Sequence, residues 1–443
     1  MTLRPYQVPH YEQLLASLEA NSSALDASDT GTGKTYVALA IAKTLGIVPL
    51  VVGTKAGRGG WEDASTLCDV PVEYINYERL RGQRKRETGL AETEWLEEVK
   101  WGSGSFLKWK NDYDMVIFDE AHRCGGSKSL NSKAMIAARR QARYTLALSA
   151  TAADDPRQMK ALGYLLGLHG LSKKSSRYRL NWMGFQYRHG VTPGVFGGYE
   201  FSQDPEKQRQ VFAKLHAEIF PRHGSRMVKA EIPGFPKTVI DVKFIEDESN
   251  EAAAISETLH NTDDSMDGIS IATDCRQKLE LLKVPYFVDL ADDYSQTSKL
   301  VYFLNFRKPL WKLYEQLQKK FGSDRVGIID GTQTGERGDA ERRDFLRRFQ
   351  ANELDALCCN AQAGGESANM HDPLGHVERT VFISPLESGR QFHQVTGRVN
   401  RDGGAFSTQF VTLFKNTREE VIAERMRRKS FNVELFNDGD FKI

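Results

Sequence analysis

Long apolar runs are missing from this chain. Nowhere in its 443 residues is there anything near the roughly 18 consecutive apolar residues of a membrane-spanning helix. The first residues, Met1-Thr2-Leu3-Arg4-Pro5, lack the apolar core of a secretory signal. An excess of one charge is missing too. Sixty Lys and Arg face 59 Asp and Glu, for a net charge of +1, so any surface for a polyanion has to be a local patch. Cysteine is scarce, and Cys68, Cys124, Cys275, Cys358 and Cys359 form no CxxC pair and no metal-ligand spacing. That excludes a disulfide scaffold or a zinc module and fits buried thiols in a reducing compartment. His169, His189 and His223 likewise lack ligand spacing. No short-period repeat and no low-complexity tract is present. The expectation is a soluble, intracellular, cytoplasmic protein, long enough for two domains.

What is present begins with Ala27-Ser28-Asp29-Thr30-Gly31-Thr32-Gly33-Lys34-Thr35, which leads into the apolar helical run Tyr36-Val37-Ala38-Leu39-Ala40-Ile41-Ala42. Glycines let a backbone curl so that successive N–H groups point at phosphate oxygens, and the following helix adds its positive end. Thr30, Gly31, Thr32, Gly33 and Lys34 would cradle the phosphates of ATP. Lys34 would reach the β/γ-phosphates, and the Thr35 hydroxyl would ligate Mg²⁺. Ser28 stands where the strict pattern has Gly, and a small residue keeps the backbone close to phosphate. Upstream, the Gln7 amide offers a donor and an acceptor that suit an adenine edge.

Downstream, Asp114-Met115-Val116-Ile117-Phe118-Asp119-Glu120-Ala121-His122 reads as a buried parallel strand delivering two acids to its C-terminal edge, where α/β sheets place ligands. Asp119 would hold Mg²⁺ through water, and Glu120 would orient and deprotonate an attacking water. Val48-Pro49-Leu50-Val51-Val52 and Tyr144-Thr145-Leu146-Ala147-Leu148 read as further buried strands. The basic run Arg84-Lys85-Arg86 reads as a solvated face, and the aromatics of Asn181-Trp182-Met183-Gly184-Phe185-Gln186-Tyr187-Arg188 read as core. Ile232-Pro233-Gly234-Phe235-Pro236 reads as a linker. It sets expected domains at residues 1–235 and 236–443.

After the linker a second alternation starts, with strands at Leu300-Val301-Tyr302-Phe303-Leu304, Val326-Gly327-Ile328-Ile329, Leu357-Cys358-Cys359, Thr380-Val381-Phe382-Ile383 and Phe410-Val411-Thr412-Leu413. Pro309 opens a helix with Leu310, Leu313, Tyr314, Leu317 and Phe321 at the spacing of one buried face. Another over 340–349 presents Arg342, Arg343 and Arg347, more often a solvated face than a nucleic-acid contact. This pattern argues for a second parallel sheet. In Gln394-Val395-Thr396-Gly397-Arg398-Val399-Asn400-Arg401, helical spacing would place Arg398 and Arg401 one turn apart, aimed at one target. Permanently charged guanidinium groups suit transferring phosphoryl oxygens.

Taken in order, these stretches resemble the motifs of superfamily 2 helicases and translocases, from residue 3 to about 430. Pro5-Tyr6-Gln7 resembles the adenine-reading Q motif, and residues 29–35 resemble motif I. Thr54-Lys55 resembles motif Ia, and residues 119–122 the DEAH box. Ser149-Ala150-Thr151 resembles the coupling motif, and Gly364-Gly365-Glu366-Ser367-Ala368-Asn369 the motif between lobes. Residues 394–401 match the QxxGRxxR arginine-finger motif. Asp119-Glu120-Ala121-His122-Arg123 with Ser127-Lys128-Ser129, Arg226-Met227-Val228-Lys229 before Pro236-Lys237, and Asp330-Gly331-Thr332 resemble the Swi/Snf-type ATPases. The nearest likenesses are their compact annealing branch and the phage UvsW-like fork remodellers. The large helical insertions of chromatin remodellers are absent, and Ala152 replaces the Pro that commonly follows the coupling motif.

The resemblance implies two RecA-like lobes, each a parallel sheet flanked by helices, with the ATP site in the cleft between them. It implies catalytic roles for Lys34, Glu120, Gln394, Arg398 and Arg401, and coupling or nucleic-acid roles for Thr54, Lys55, His122, Ser149, Thr151, Gly365 and Asn369. ATP and Mg²⁺ are the implied cofactors. The expected activity is translocation on duplex or branched DNA, in fork remodelling, branch migration or annealing, by a monomer working beside replication or recombination proteins. The compact, accessory-free chain is the form expected of a phage enzyme acting in the host cytoplasm. A strand-separating DNA or RNA helicase is the alternative enzyme, and a non-catalytic ATP-gated clamp is the alternative class.

Overall fold

A computed structural model describes residues 3–82, 93–101, 104–170, 181–194, 198–261, 266–333, 335–365 and 368–438. The basic run Arg84-Lys85-Arg86 and the residues Glu366 and Ser367 lie outside these. The chain divides into two compact units, Met1–Ile232 with Phe431–Ile443, and Pro233–Ser430. The Pro/Gly cluster read as a linker spans that division, and the final stretch from Phe431 belongs with the first unit. No helix among the described residues is long and apolar enough to cross a membrane.

The strands of the first unit are β1 (Ser23–Asp26), β2 (Leu50–Gly53), β3 (Glu73–Asn76), β4 (Leu96–Trp101), β5 (Gly104–Trp109), β6 (Met115–Asp119), β7 (Tyr144–Leu148), β8 (Val191–Pro193), β9 (Tyr199–Phe201) and β10 (Gly224–Ser225). Six of them form one sheet in the order β10-β1-β7-β6-β2-β3, with every pairing parallel. Successive side chains of a strand point to opposite faces, and β6 shows the consequence. Val116 and Phe118 enter one apolar cluster with Met135, Leu162 and Phe185. Met115 and Ile117 enter another with Val37, Leu39 and Ile41. A sheet covered on both faces needs continuous apolar strands rather than alternating ones, which is why β6 and β7 were legible as short hydrophobic runs. The charged, Trp-bearing stretch before β6 forms the β4–β5 hairpin. Its Trp109 is buried and donates from Nε1 to the Ala134 carbonyl at 3.1 Å. Of the 181–188 aromatics read as core, Phe185 is fully buried and stacked on a half-buried Trp182, whereas Tyr187 is exposed.

The second unit repeats the plan. Its strands are β11 (Thr238–Ile245), β12 (Ser298–Leu304), β13 (Val326–Ile329), β14 (Ala356–Asn360), β15 (Glu378–Ile383) and β16 (Ser407–Phe414), ordered β11-β16-β15-β12-β14-β13 and all parallel. Along β12, Val301 and Phe303 face one cluster while Leu300, Tyr302 and Leu304 face the other. The helix read as starting at Pro309 runs Arg307–Phe321 and buries Leu310, Leu313 and Leu317, with Tyr314 and Phe321 of the same face partly buried. Among the elements that went unread are an edge strand and a long helix. Edge strand β11 leaves Val239, Ile240, Val242 and Phe244 exposed, so its sequence shows no core face. The long helix Met266–Tyr294 carries Lys283 fully buried against Glu419. All five cysteines are buried and free. The fold is two α/β units, each built on a six-stranded parallel sheet flanked by helices, the arrangement expected of two RecA-like lobes.

Candidate active site

The phosphate loop is the turn between β1 and the helix Lys34–Leu45. Gly31 and Gly33 take φ of 86° and 92°, a region that only glycine enters at little cost. A Cβ on Gly33 would also lie 2.3 Å from Gln7 Nε2, so any other residue there would strain the backbone and displace the Gln7 amide. Lys34 is turned inward, its Nζ donating to the carbonyls of Ser28 at 2.7 Å and Asp29 at 2.9 Å. Burial lowers the Lys34 pKa, against the pull of Asp26, Glu120, Asp119 and Asp29. The acids of the DEAH stretch are thus close enough to Lys34 to act on its charge.

Ser28, the departure from the strict pattern, has a structural reason. Its hydroxyl lies 3.2 Å from His10 Nε2 and accepts the Met227 N–H at 2.9 Å. The same imidazole lies 3.1 Å from Asp26 Oδ2 and 2.9 Å from Ser225 Oγ. Burial alone would raise the Asp26 carboxyl; His10 and Lys34 outweigh it and hold Asp26 below the usual carboxylate range. A buried Asp-His-Ser network therefore braces the strand entering the loop, and glycine at 28 could not take part. Gln7 braces the loop from above. Its Oε1 accepts the Arg4 N–H and its Nε2 donates to the Thr32 carbonyl, both at 3.0 Å. The amide read as adenine-facing is here engaged with the loop's own backbone.

Asp119 ends β6. Its Oδ2 accepts the Trp61 indole N–H at 2.9 Å, its Oδ1 accepts the Glu120 N–H at 3.0 Å, and its carbonyl accepts the Tyr77 hydroxyl at 2.8 Å. Burial, and then the charge of Glu120, push the Asp119 pKa upward. Glu120 adopts φ of 51°, a left-handed conformation that costs a non-glycine residue and is typical of sites where geometry outranks stability. Glu120 Oε2 lies 3.4 Å from His122 Nδ1, which lies 3.3 Å from Ser149 Oγ, and that oxygen accepts the Thr151 N–H at 3.2 Å. The DEAH stretch and the coupling stretch thus form one connected chain. Thr54 caps the next turn by accepting the Gly57 N–H at 3.1 Å, and Lys55 is exposed.

The residues present fit ATP and Mg²⁺. Among the described residues no group of three or more His, Cys, Asp or Glu could hold a metal by itself. Mg²⁺ needs no such cage, since it is usually held by one or two protein oxygens plus phosphates and water. Thr35 and Asp119 would supply that pair. The crowding of Asp119 and Glu120 is the repulsion a divalent cation relieves.

Trp61 escaped the reading of the sequence, where nothing in Gly60-Trp61-Glu62 marks a role. Outer partners that orient a metal-bound carboxylate typically matter about 10–100-fold. Trp61→Phe keeps the ring packing and removes the donor. It is expected to raise the Mg²⁺ needed for half-maximal ATPase by about 10-fold while leaving nucleotide affinity in EDTA unchanged, measured by titrating a fluorescent ADP analogue. An unaltered Mg²⁺ requirement would show that the indole only packs.

In the second unit the arginines do not lie on a helix as the spacing suggested. The helix Gly389–Thr396 ends before them, capped by Gly397, and Gln409 of β16 donates to the Thr396 carbonyl at 2.9 Å. Gln394 lies on the helix, whereas Arg398 and Arg401 follow on a turn. The Arg398 carbonyl accepts the Met370 N–H and the Arg401 carbonyl the Gly404 N–H, each at 2.9 Å. Arg398 is buried and Arg401 partly so. Gly365 is buried beside Val395, and Asn369 is exposed. Arg342 donates to the Ala363 carbonyl, and Arg347 pairs with Asp344 and Glu353. Two of the three arginines considered for nucleic-acid contact, Arg342 and Arg347, are therefore engaged within the unit, in keeping with the bland reading.

No family model matches the chain. It is similar to a protein of Acanthamoeba polyphaga mimivirus whose name reads ATP-dependent RNA helicase, with 26% identity over 467 residues, covering 99% of this chain and 84% of that protein. The structure is similar to a Sulfolobus solfataricus SWI2/SNF2 ATPase core in complex with double-stranded DNA, at 17% identity and a TM-score of 0.39, covering 99% of this chain and 94% of that one. That likeness is too loose to carry weight. The chain is thus similar along nearly its whole length to a protein named an ATP-dependent helicase, and its two parallel-sheet units carry, in order, motifs that resemble those of the superfamily 2 helicases and translocases.

Proposed function

We propose that the protein is an ATP- and Mg²⁺-dependent translocase of the Swi/Snf-like kind that moves along duplex or branched DNA and remodels or reanneals it. The observation that carries this reading is the connected chain Glu120–His122–Ser149–Thr151. A base in contact through His122 with a second loop relates turnover to movement, which a static clamp does not need. In this mechanism Lys34 and the loop N–H groups bind the phosphates, while Thr35 and Asp119 hold Mg²⁺. When bound, Mg²⁺ neutralises charge on the phosphate oxygens. Glu120 orients the attacking water and takes its proton. Arg398 and Arg401 supply positive charge to the transferring phosphoryl group. Gripping through the nucleic-acid backbone carries little sequence information, so little sequence preference follows.

The Swi/Snf-like spacing around the DEAH box and at 226–229 favours DNA. The name of the mimivirus relative favours the second reading, an RNA helicase. ATPase rates with duplex DNA, single-stranded DNA, forked DNA and RNA decide between them. Duplex or forked DNA is expected to stimulate most. Stimulation by RNA alone would overturn the DNA reading, and nucleotide binding without turnover under any condition would establish the clamp.

A further inference from the structure

The strip just before the division between units is stitched to the phosphate loop over four residues, although some 200 positions separate them in sequence. Strand β10 pairs with β1, and the strip continues the register. The Ala27 N–H donates to the Ser225 carbonyl at 3.0 Å, and the Asp29 N–H to the Met227 carbonyl at 3.1 Å. Asp29 returns the contact. Its Oδ1 accepts Arg226 Nη2 at 2.8 Å and its Oδ2 accepts the Lys229 N–H at 3.0 Å. The Lys229 ammonium then lies 3.3 Å from the Thr30 hydroxyl.

An acid inside a phosphate loop works against the triphosphate unless it is neutralised. Asp29 is: burial would raise its pKa, and Arg226 and Lys229 reverse that and keep it ionised. The carboxylate is therefore better understood as a clip than as a ligand for metal or phosphate. It holds two cations of the strip against residues 29 and 30. Lys34 occupies the loop interior at the Ser28 and Asp29 carbonyls, and Lys229 stands over the next residue along the loop. At Asp29 two cations of the strip, Arg226 and Lys229, meet one carboxylate, and cations set beside loop N–H groups suit the highly charged end of a nucleoside triphosphate.

We infer that Lys229 is a second phosphate-contacting cation of the ATP site, directed at the terminal phosphate, and that Arg226 is its positioning residue, acting through Asp29. The inference rests on the ATP-binding reading above. It makes Lys229 a device for telling ATP from ADP, supplied in cis by the segment that leads into the second unit.

The test is competition of ATPγS and of ADP against a fluorescent ADP analogue, with Mg²⁺, on the full chain. Lys229→Ala is expected to weaken ATPγS about ten-fold, the scale of one charged hydrogen bond, and ADP less than about two-fold. Lys229→Arg should restore most of the preference, which a purely structural role would not require. Arg226→Ala should shift the same ratio by less and add nothing on top of Lys229→Ala. An ATPγS-to-ADP ratio in Lys229→Ala equal to that of the unaltered protein overturns the inference, provided that Lys34→Ala abolishes binding of both. If the unaltered protein binds neither nucleotide, the ATP reading itself falls. Fully additive effects of Arg226 and Lys229 would overturn the positioning role.

Discussion

Alanine at Arg401, and likewise at Arg398, is expected to leave ATP binding near normal while slowing hydrolysis by roughly 10³–10⁵-fold. A guanidinium acts most strongly on charge that grows in the transition state, so its loss appears in turnover rather than in ground-state affinity. Lys34→Ala should behave oppositely and weaken nucleotide binding itself, because its ammonium sits within the loop. Nucleic-acid binding should survive in all three variants, and translocation, followed as displacement of a third strand from a triplex, should vanish with the ATPase. Arg398 is buried, so its variant calls for an accompanying unfolding curve, whereas the more accessible Arg401 gives the cleaner measurement. If Arg401→Ala retains most of its nucleic-acid-stimulated turnover, Arg401 does not act as a finger.

The second large effect is expected at Glu120. Glu120→Gln preserves shape and hydrogen-bonding reach but cannot accept the proton of water, and losing a general base costs roughly 10²–10⁴ in rate. The left-handed backbone at this residue is set by its surroundings rather than by the carboxylate charge, so the variant should fold and bind ATP as before. Single-turnover hydrolysis beside equilibrium binding of a fluorescent nucleotide separates the two properties. Hydrolysis within a few-fold of normal would assign the base to another group.

The local pieces of the site were legible because their chemistry is local. Gly31, Gly33, Lys34 and Thr35 act through backbone curvature and the start of one helix, all within a few residues. Asp119 and Glu120 follow an apolar run that has to be a buried strand. Spacing failed where a side chain outside the local stretch decided the geometry. The helix that looked continuous through Arg398 and Arg401 stops at Thr396, where Gly397 closes it and Gln409, from a later strand, takes the Thr396 carbonyl. Gln7 offers groups that suit an adenine edge; here its Nε2 donates to the Thr32 carbonyl and its Oε1 accepts the Arg4 N–H.

By itself the sequence determined two alternating strand–helix halves, the phosphate loop, the paired acids and the arginine stretch, since each is written in the periodicity or composition of neighbouring residues. Tertiary structure alone decided which distant side chains complete them. Trp61 meets Asp119 across 58 positions, and Arg226 meets Asp29 across 197. Such meetings depend on strand order and on parallel register, β10 beside β1 and β2 beside β6. Neither is encoded in local pattern, because a parallel pairing is closed by whatever crossover happens to lie between the strands.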